Sequence, residues 1–210
     1  MMNPMETTNS ETAFRKIRED LFVLTRTDAF GRQPSPAVIL ADGEMILIGL
    51  GRTEDFSLLF ENMGRILPLD RLTHVVAPGF AEGLVSVRKA FLAAGADPAF
   101  VVSTQLDSLM GLSARGFRLK RIGGEPVDLV LRSGRVFTFL PAPFLLSPMA
   151  FLTYDVSGKT LFSHYLFEDY PTGDAPEAWS VPILRVKDFL AELLPSADFL
   201  RPLVRLLARL

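Results

Sequence analysis

Residues 139–167, FLPAPFLLSPMAFLTYDVSGKTLFSHYLF, decide how this chain is read. Runs rich in aromatic and β-branched residues at 135–140, 150–154 and 160–163 predict three strands, and Gly158-Lys159 predicts the turn joining the last two. The uncharged run 136–154 is nearly long enough to cross a bilayer. Pro141, Pro143 and Pro148 would interrupt a spanning helix three times. The stretch therefore reads as buried strand and loop, with no membrane span.

Working outward toward the N-terminus, Asp42-Gly43 between the apolar runs 37–40 and 44–50 predicts a hairpin. Residues 55–66 place Phe56, Leu59, Phe60 and Met63 on one helical face. Residues 74–77 and 100–103 read as short strands, with helices expected at 84–94 and 104–111 and a further strand at 127–131. LFVLT at 21–25 reads as the first strand. Residues 14–20 are expected to be a short helix or the lead into that strand, and residues 1–20 as a whole a flexible segment or short helix. Toward the C-terminus, 168–179 reads as loop, and 186–194 and 199–210 as amphipathic helices, with Asp198 as N-cap of the second. Strands, helices, strands and terminal helices in that order imply a mixed sheet with helices outside.

Composition sets limits. A chain of 210 residues, 49% hydrophobic, suits one domain with a sizeable core, expected over 21–210. A net charge of −2 gives no general attraction to nucleic acid. With no cysteine, disulfides, thiolate metal sites and cysteine nucleophiles are excluded. Residues 1–20 carry no apolar signal core, so a cytoplasmic protein is expected.

The 139–167 stretch resembles the second half of the metallo-β-lactamase-fold domain of flavodiiron proteins and of the oxygen-binding di-iron (ODP) sensor domains. Pro141-Ala142-Pro143, Pro148, Thr153-Tyr154 and Leu161-Phe162-Ser163 stand in register with that family's P-A-P-x-x-H-x-P-D, T-Y and L-F-S-x-D words. The resemblance continues upstream through 21–24, 37–40, 45–48 and 72–76. It implies an α+β fold, a four-layered αββα sandwich of two mixed sheets with outer helices. It also implies where the metal ligands belong. The histidine of the first signature falls on Leu146 and the later aspartate on Tyr165. The family's H-x-E-x-D-H loop falls on 78–83, putting Pro78, Phe80, Glu82 and Gly83 at ligand positions, and Gly49 stands where an aspartate is usual.

Pro, Phe, Gly and Leu side chains have no lone pair to give a metal. The whole chain has two histidines, His74 and His164, whereas a di-iron site of this kind uses about four with carboxylates. The expectation is a degenerate site with no metal, no catalytic residue and no resident cofactor, its space filled by Phe80, Leu146 and Met149. β-Lactamase, thiol-ester hydrolase, and oxygen or nitric oxide reductase activities are not expected, since these need a metal-activated water or a redox metal pair.

Glu82, His164 and Tyr165 remain as polar groups around that space. The alternative reading of Glu82 is a first-turn anion that stabilises the helix after Gly83. His74 aligns with a non-ligand position. Gly123-Gly124 lacks phosphate-loop spacing and reads as a turn, and Ser103, Ser108 and Ser113 have no catalytic-histidine context. Arg201, Arg205 and Arg209 lie opposite Leu203, Leu206, Leu207 and Leu210 on the last helix. That helix is expected to lead to a further domain or a partner, and the resemblance implies a homodimer. The leading expectation is a non-catalytic sensory or protein-interaction module. The alternatives are a metalloprotein, oxidoreductase or gas-binding protein with a relocated metal site drawn from Glu82, His164, Asp155, Glu168 and Asp169, or a module that binds a flavin, haem or small ligand in the emptied pocket.

Overall fold

The computed structural model describes residues 11–27, 36–51, 53–79, 83–142 and 147–163, together with Arg201, Val204, Arg205 and Ala208. Two sheets organise them. The larger has seven strands in sequence order: β1 (Glu11–Arg18), β2 (Leu21–Thr27), β3 (Ala37–Ala41), β4 (Glu44–Ile48), β5 (Leu72–Val76), β6 (Ala99–Ser103) and β7 (Leu119–Ile122). Neighbours are antiparallel from β1 to β4 and parallel from β4 to β7. The smaller sheet is antiparallel and runs β11 (Thr160–Phe162), β10 (Phe151–Asp155), β9 (Val136–Pro141), β8 (Val127–Val130). Three helices, α1 (Phe56–Ile66), α2 (Leu84–Ala93) and α3 (Thr104–Met110), make the crossovers between the parallel strands.

Period-two alternation divides the core into two. Val38, Met45, Leu47, Val75, Phe100 and Val102 face the helices and meet Leu59, Met63, Leu84, Val87, Phe91 and Leu106. Ile39, Ile46, Ile48, Val76 and Val101 face the smaller sheet and meet Phe137, Phe139 and Phe151. Strands buried on both faces read as continuous apolar runs, which is why 37–41 and 45–48 show so little alternation. Each of the three inter-sheet phenylalanines is fully buried and contributes about 1.5–3 kcal/mol by area.

Helices, seven-stranded sheet and four-stranded sheet are thus three successive layers of the expected sandwich. The terminal helices expected at 186–194 and 199–210 lie largely outside the described residues, although Arg201, Val204 and Arg205 are helical. The 3–4 hairpin forms as its sequence predicts: Asp42 and Gly43 both take positive φ, 47° and 77°, the geometry of a type I′ turn.

Two elements differ from expectation. Residues 11–18 form β1, paired with β2 along its length, where a short helix or flexible segment was an option. Pairing with β2 and the stacking of Phe14 on Phe22 at 5.8 Å outweigh the weak local preference. β7 was not foreseen: Lys120 and Arg121 interrupt the apolar pattern, and only β6 beside it makes the segment a strand.

Candidate functional site

Several strand ends that flank the expected ligand positions lie at one pole of the sandwich. β4 and β5 end there, β9 ends there and β10 starts there. Gly49 N–H donates to Val76 O at 2.8 Å, and Ala77 N–H to Val101 O at 2.9 Å. The smaller sheet reaches the same place: Phe151 N–H donates to the carbonyl of Pro78 at 3.4 Å, and Ala142 N–H to Ala150 O at 2.9 Å. Pro78 is buried at the exit of β5, and Ala142 is fully buried at the exit of β9. Ser147 holds the returning loop, its Oγ accepting from Met149 N–H at 3.1 Å, and Met149 is packed against the helix-side core.

Of the six positions expected from the resemblance, Pro78 and Gly83 lie within the described residues, at opposite ends of the segment between β5 and α2. Phe80, Glu82, Leu146 and Tyr165 lie outside them, as do His164, Glu168 and Asp169. Gly83 is the N-cap of α2 with φ 74° and ψ 4°. A Cβ built there would lie 3.3 Å from Thr53 Oγ1 and 3.8 Å from Thr53 Cγ2. Left-handed backbone is costly for a residue bearing a Cβ, so the backbone at residue 83 suits glycine.

The remaining described donors do not gather here. His74 sits on β5 between Ile46 and Ala99. Burial, reinforced by the Lys120 and Arg118 cations, pulls its pKa down to about 4, an environment hostile to a metal cation. Asp155, a candidate for a relocated site, lies at the other pole. Its fully buried carboxylate is shared by Arg18 and Arg135, so it is not free to coordinate. Among the described residues no group of three or more His, Cys, Asp or Glu could hold a metal. The residues present at the described positions therefore do not fit a di-iron centre.

Ser103, Ser108 and Ser113 have structural roles. Ser103 Oγ caps α3 by accepting from Leu106 N–H at 3.0 Å, and Ser108 donates to Thr104 O at 3.0 Å. Ser113 Oγ donates to Asp107 at 2.6 Å, and Arg121 Nε donates to the same carboxylate at 2.6 Å. The Ser113 hydroxyl first, then Arg121, hold Asp107 down to a pKa of about 2. Sequence reading missed this cluster and the Arg18–Asp155 contact. The only signal for either is charge set beside apolar strand.

Comparison with known proteins bears on the fold. No curated protein matches the chain. Among solved structures, the chain is similar to the apo state of the chemotaxis sensor ODP from T. denticola, at 18% identity and TM-score 0.72, covering 95% of this chain and 83% of that one. It is similar to a fragment of diflavin flavoprotein A 5 from Nostoc sp. PCC 7120, at 20% identity and TM-score 0.70, covering 93% and 84%. It also matches the metal-soaked Flv1 flavodiiron core from Synechocystis sp. PCC6803, at 18% identity and TM-score 0.72, covering 95% of this chain and 54% of that one. At these identities the likeness establishes the fold. The family model described as "ODP family beta lactamase" matches residues 33–210. On that match and on the two-sheet sandwich, the chain belongs to the ODP family of proteins with a metallo-β-lactamase fold.

Proposed function

We propose that this chain is a metal-free member of its family, acting as a sensory or protein-interaction module and not as an enzyme. The observation that supports this most is Gly83. A ligand position is occupied by a residue without a side chain, and the backbone there has φ 74°. On this reading the family's donor is replaced at a position whose backbone suits glycine. Pro78, at the other end of the loop, offers no lone-pair-bearing side chain, and its carbonyl is engaged by Phe151 N–H. Such a pole can still carry a signal, because it joins both sheets, but it cannot activate water through these residues.

The module works in the cytoplasm, as a homodimer or with a signalling partner contacted through the basic terminal helix. Among the described residues no helix is long and apolar enough to cross a membrane. The reading is tested by assaying the purified chain, after supplementation with ferrous iron or zinc, for β-lactamase, thiol-ester hydrolase, and oxygen and nitric oxide reductase turnover. No metal-dependent turnover is expected. Turnover that persists through repurification and is lost on chelation would overturn it. Light scattering on the intact chain and on a version ending at Ser196 tests the partner surface. A larger assembly is expected only for the intact chain, and equal monomer masses would refute that part of the reading.

A further inference from the structure

The pole opposite the candidate site holds a partly buried ion cluster that nothing in the proposed function uses. Asp155, at the end of β10, is 0% exposed. It accepts from Arg18 Nη2 at 3.1 Å, Arg135 Nε at 3.0 Å and Gly158 N–H at 3.0 Å, and it also pairs with Arg135 Nη2. Asp20 pairs with Arg18 Nε at 2.6 Å and with Arg135 Nη1 at 2.7 Å. Two guanidinium groups and two carboxylates balance to zero charge. Unused donors are also satisfied: Arg18 Nη1 reaches Gly158 O at 2.9 Å and Thr160 Oγ1 at 2.8 Å, and Arg135 Nη1 reaches Leu40 O at 3.1 Å.

These contacts cross between the sheets. Arg18 ends β1 and Leu40 lies in β3 of the larger sheet; Asp155 and Thr160 belong to β10 and β11 of the smaller, and Arg135 immediately precedes β9. A second observation is independent of the charges. A Cβ on Gly158 would overlap Asp155 Oδ2 and Arg18 Nη2 and lie 2.9 Å from Asp155 Cγ. The 156–159 turn closes over the ion pair only because this residue has no side chain.

β9 and β10 connect the two poles. β9 runs from Val136 at the cluster to Pro141 at the candidate site, and β10 from Phe151 at the site to Asp155 at the cluster, roughly 17 Å along extended chain. At the far end, Phe151 N–H holds the Pro78 carbonyl. We propose that the Arg18–Asp20–Arg135–Asp155 cluster is a clamp that fixes β9 and β10 on the larger sheet and so positions the wall of the candidate site at their other ends. Arg135 and Asp155 are then positioning residues for a site they do not touch. A charge-neutral cluster suits this task better than apolar packing, because its directional bonds select one register, whereas apolar side chains tolerate sliding.

Hydrogen exchange read by peptide on the full chain tests this. Asp155→Asn leaves the two guanidinium groups with only Asp20 as a shared anion, Gly158→Ala drives a methyl group against the Asp155 and Arg18 side chains without changing any charge, and Arg18→Met removes one donor from a partly exposed position in case the first two fold poorly. Glu125→Gln, on an exposed turn, is the control. Exchange is expected to rise about tenfold or more in β9, in β10 and at Val76–Gly79, with α1 and α3 within about twofold of wild type. Three results would overturn the clamp: acceleration confined to the 156–159 turn, a uniform rise over all peptides including α1 and α3, or no change in any of the three variants.

Discussion

Restoring the family's histidine at residue 83 probes whether the loss at this site is written into side chains alone or into the backbone as well. Gly83 has φ 74° and ψ 4°, and an L-residue in that left-handed region costs about 1–2 kcal/mol. The new Cβ would meet Thr53 Oγ1 at 3.3 Å. Thr53 is exposed and can yield, so this contact adds only tenths of a kcal/mol, and the backbone term dominates. Gly83→Ala and Gly83→His should therefore lose about 1–2 kcal/mol, a fall in melting temperature of about 2–8 °C for a chain of this size. Gly83→Asn should lose less, because asparagine tolerates left-handed backbone. Thermal melts of the three variants, each with and without zinc or ferrous iron, provide the assay. The order Gly, Asn, then Ala and His is expected, with no stabilisation of Gly83→His by metal. A Gly83→His variant that melts with wild type, or rises by several degrees on adding metal, would refute the reasoning, since the loop would then accept the ligand without strain.

His74 should make stability fall in mild acid. Its folded pKa, near 4, lies below its unfolded value near 6.5, so the unfolded chain binds the proton more tightly and stability is lost as pH drops from about 6.5 toward 4. Melting temperatures across that range should flatten in His74→Gln. Asp107, held near 2 against an ordinary 3.8, contributes stability present above pH 3.8 and lost as pH falls toward 2; Arg121→Gln should move the acid unfolding midpoint upward. Phe91→Ala removes a fully buried ring set 5.6 Å from Phe56 and 5.7 Å from Phe60 and should cost about 3–5 kcal/mol in urea unfolding. An unchanged midpoint would mean that the helix-side core closes over the gap.

Much of the fold was legible where local chemistry decides it. Asp42-Gly43 fixed its hairpin through the positive φ both residues adopt, and the spacing of Phe56, Leu59, Phe60 and Met63 marked α1. β1 and β7 were less legible because they are the edges of the seven-stranded sheet. Each is a strand by virtue of the neighbour it pairs with, which a local pattern cannot show. The candidate site was legible only as expected positions, Pro78 and Gly83 among them, because the resemblance supplies them. The left-handed backbone at Gly83 was not, since glycine is compatible with many conformations. The clamp was invisible for a different reason: Arg18 and Asp155 are 137 residues apart, and nothing in the sequence near either names the other.

Elemental analysis of the full chain, purified after growth with added iron and zinc, tests the metal-free reading most directly. The expected result is iron, zinc and manganese each well below one per chain, unchanged in Glu82→Ala. One or two tightly held metal ions per chain, lost in Glu82→Ala, would contradict it.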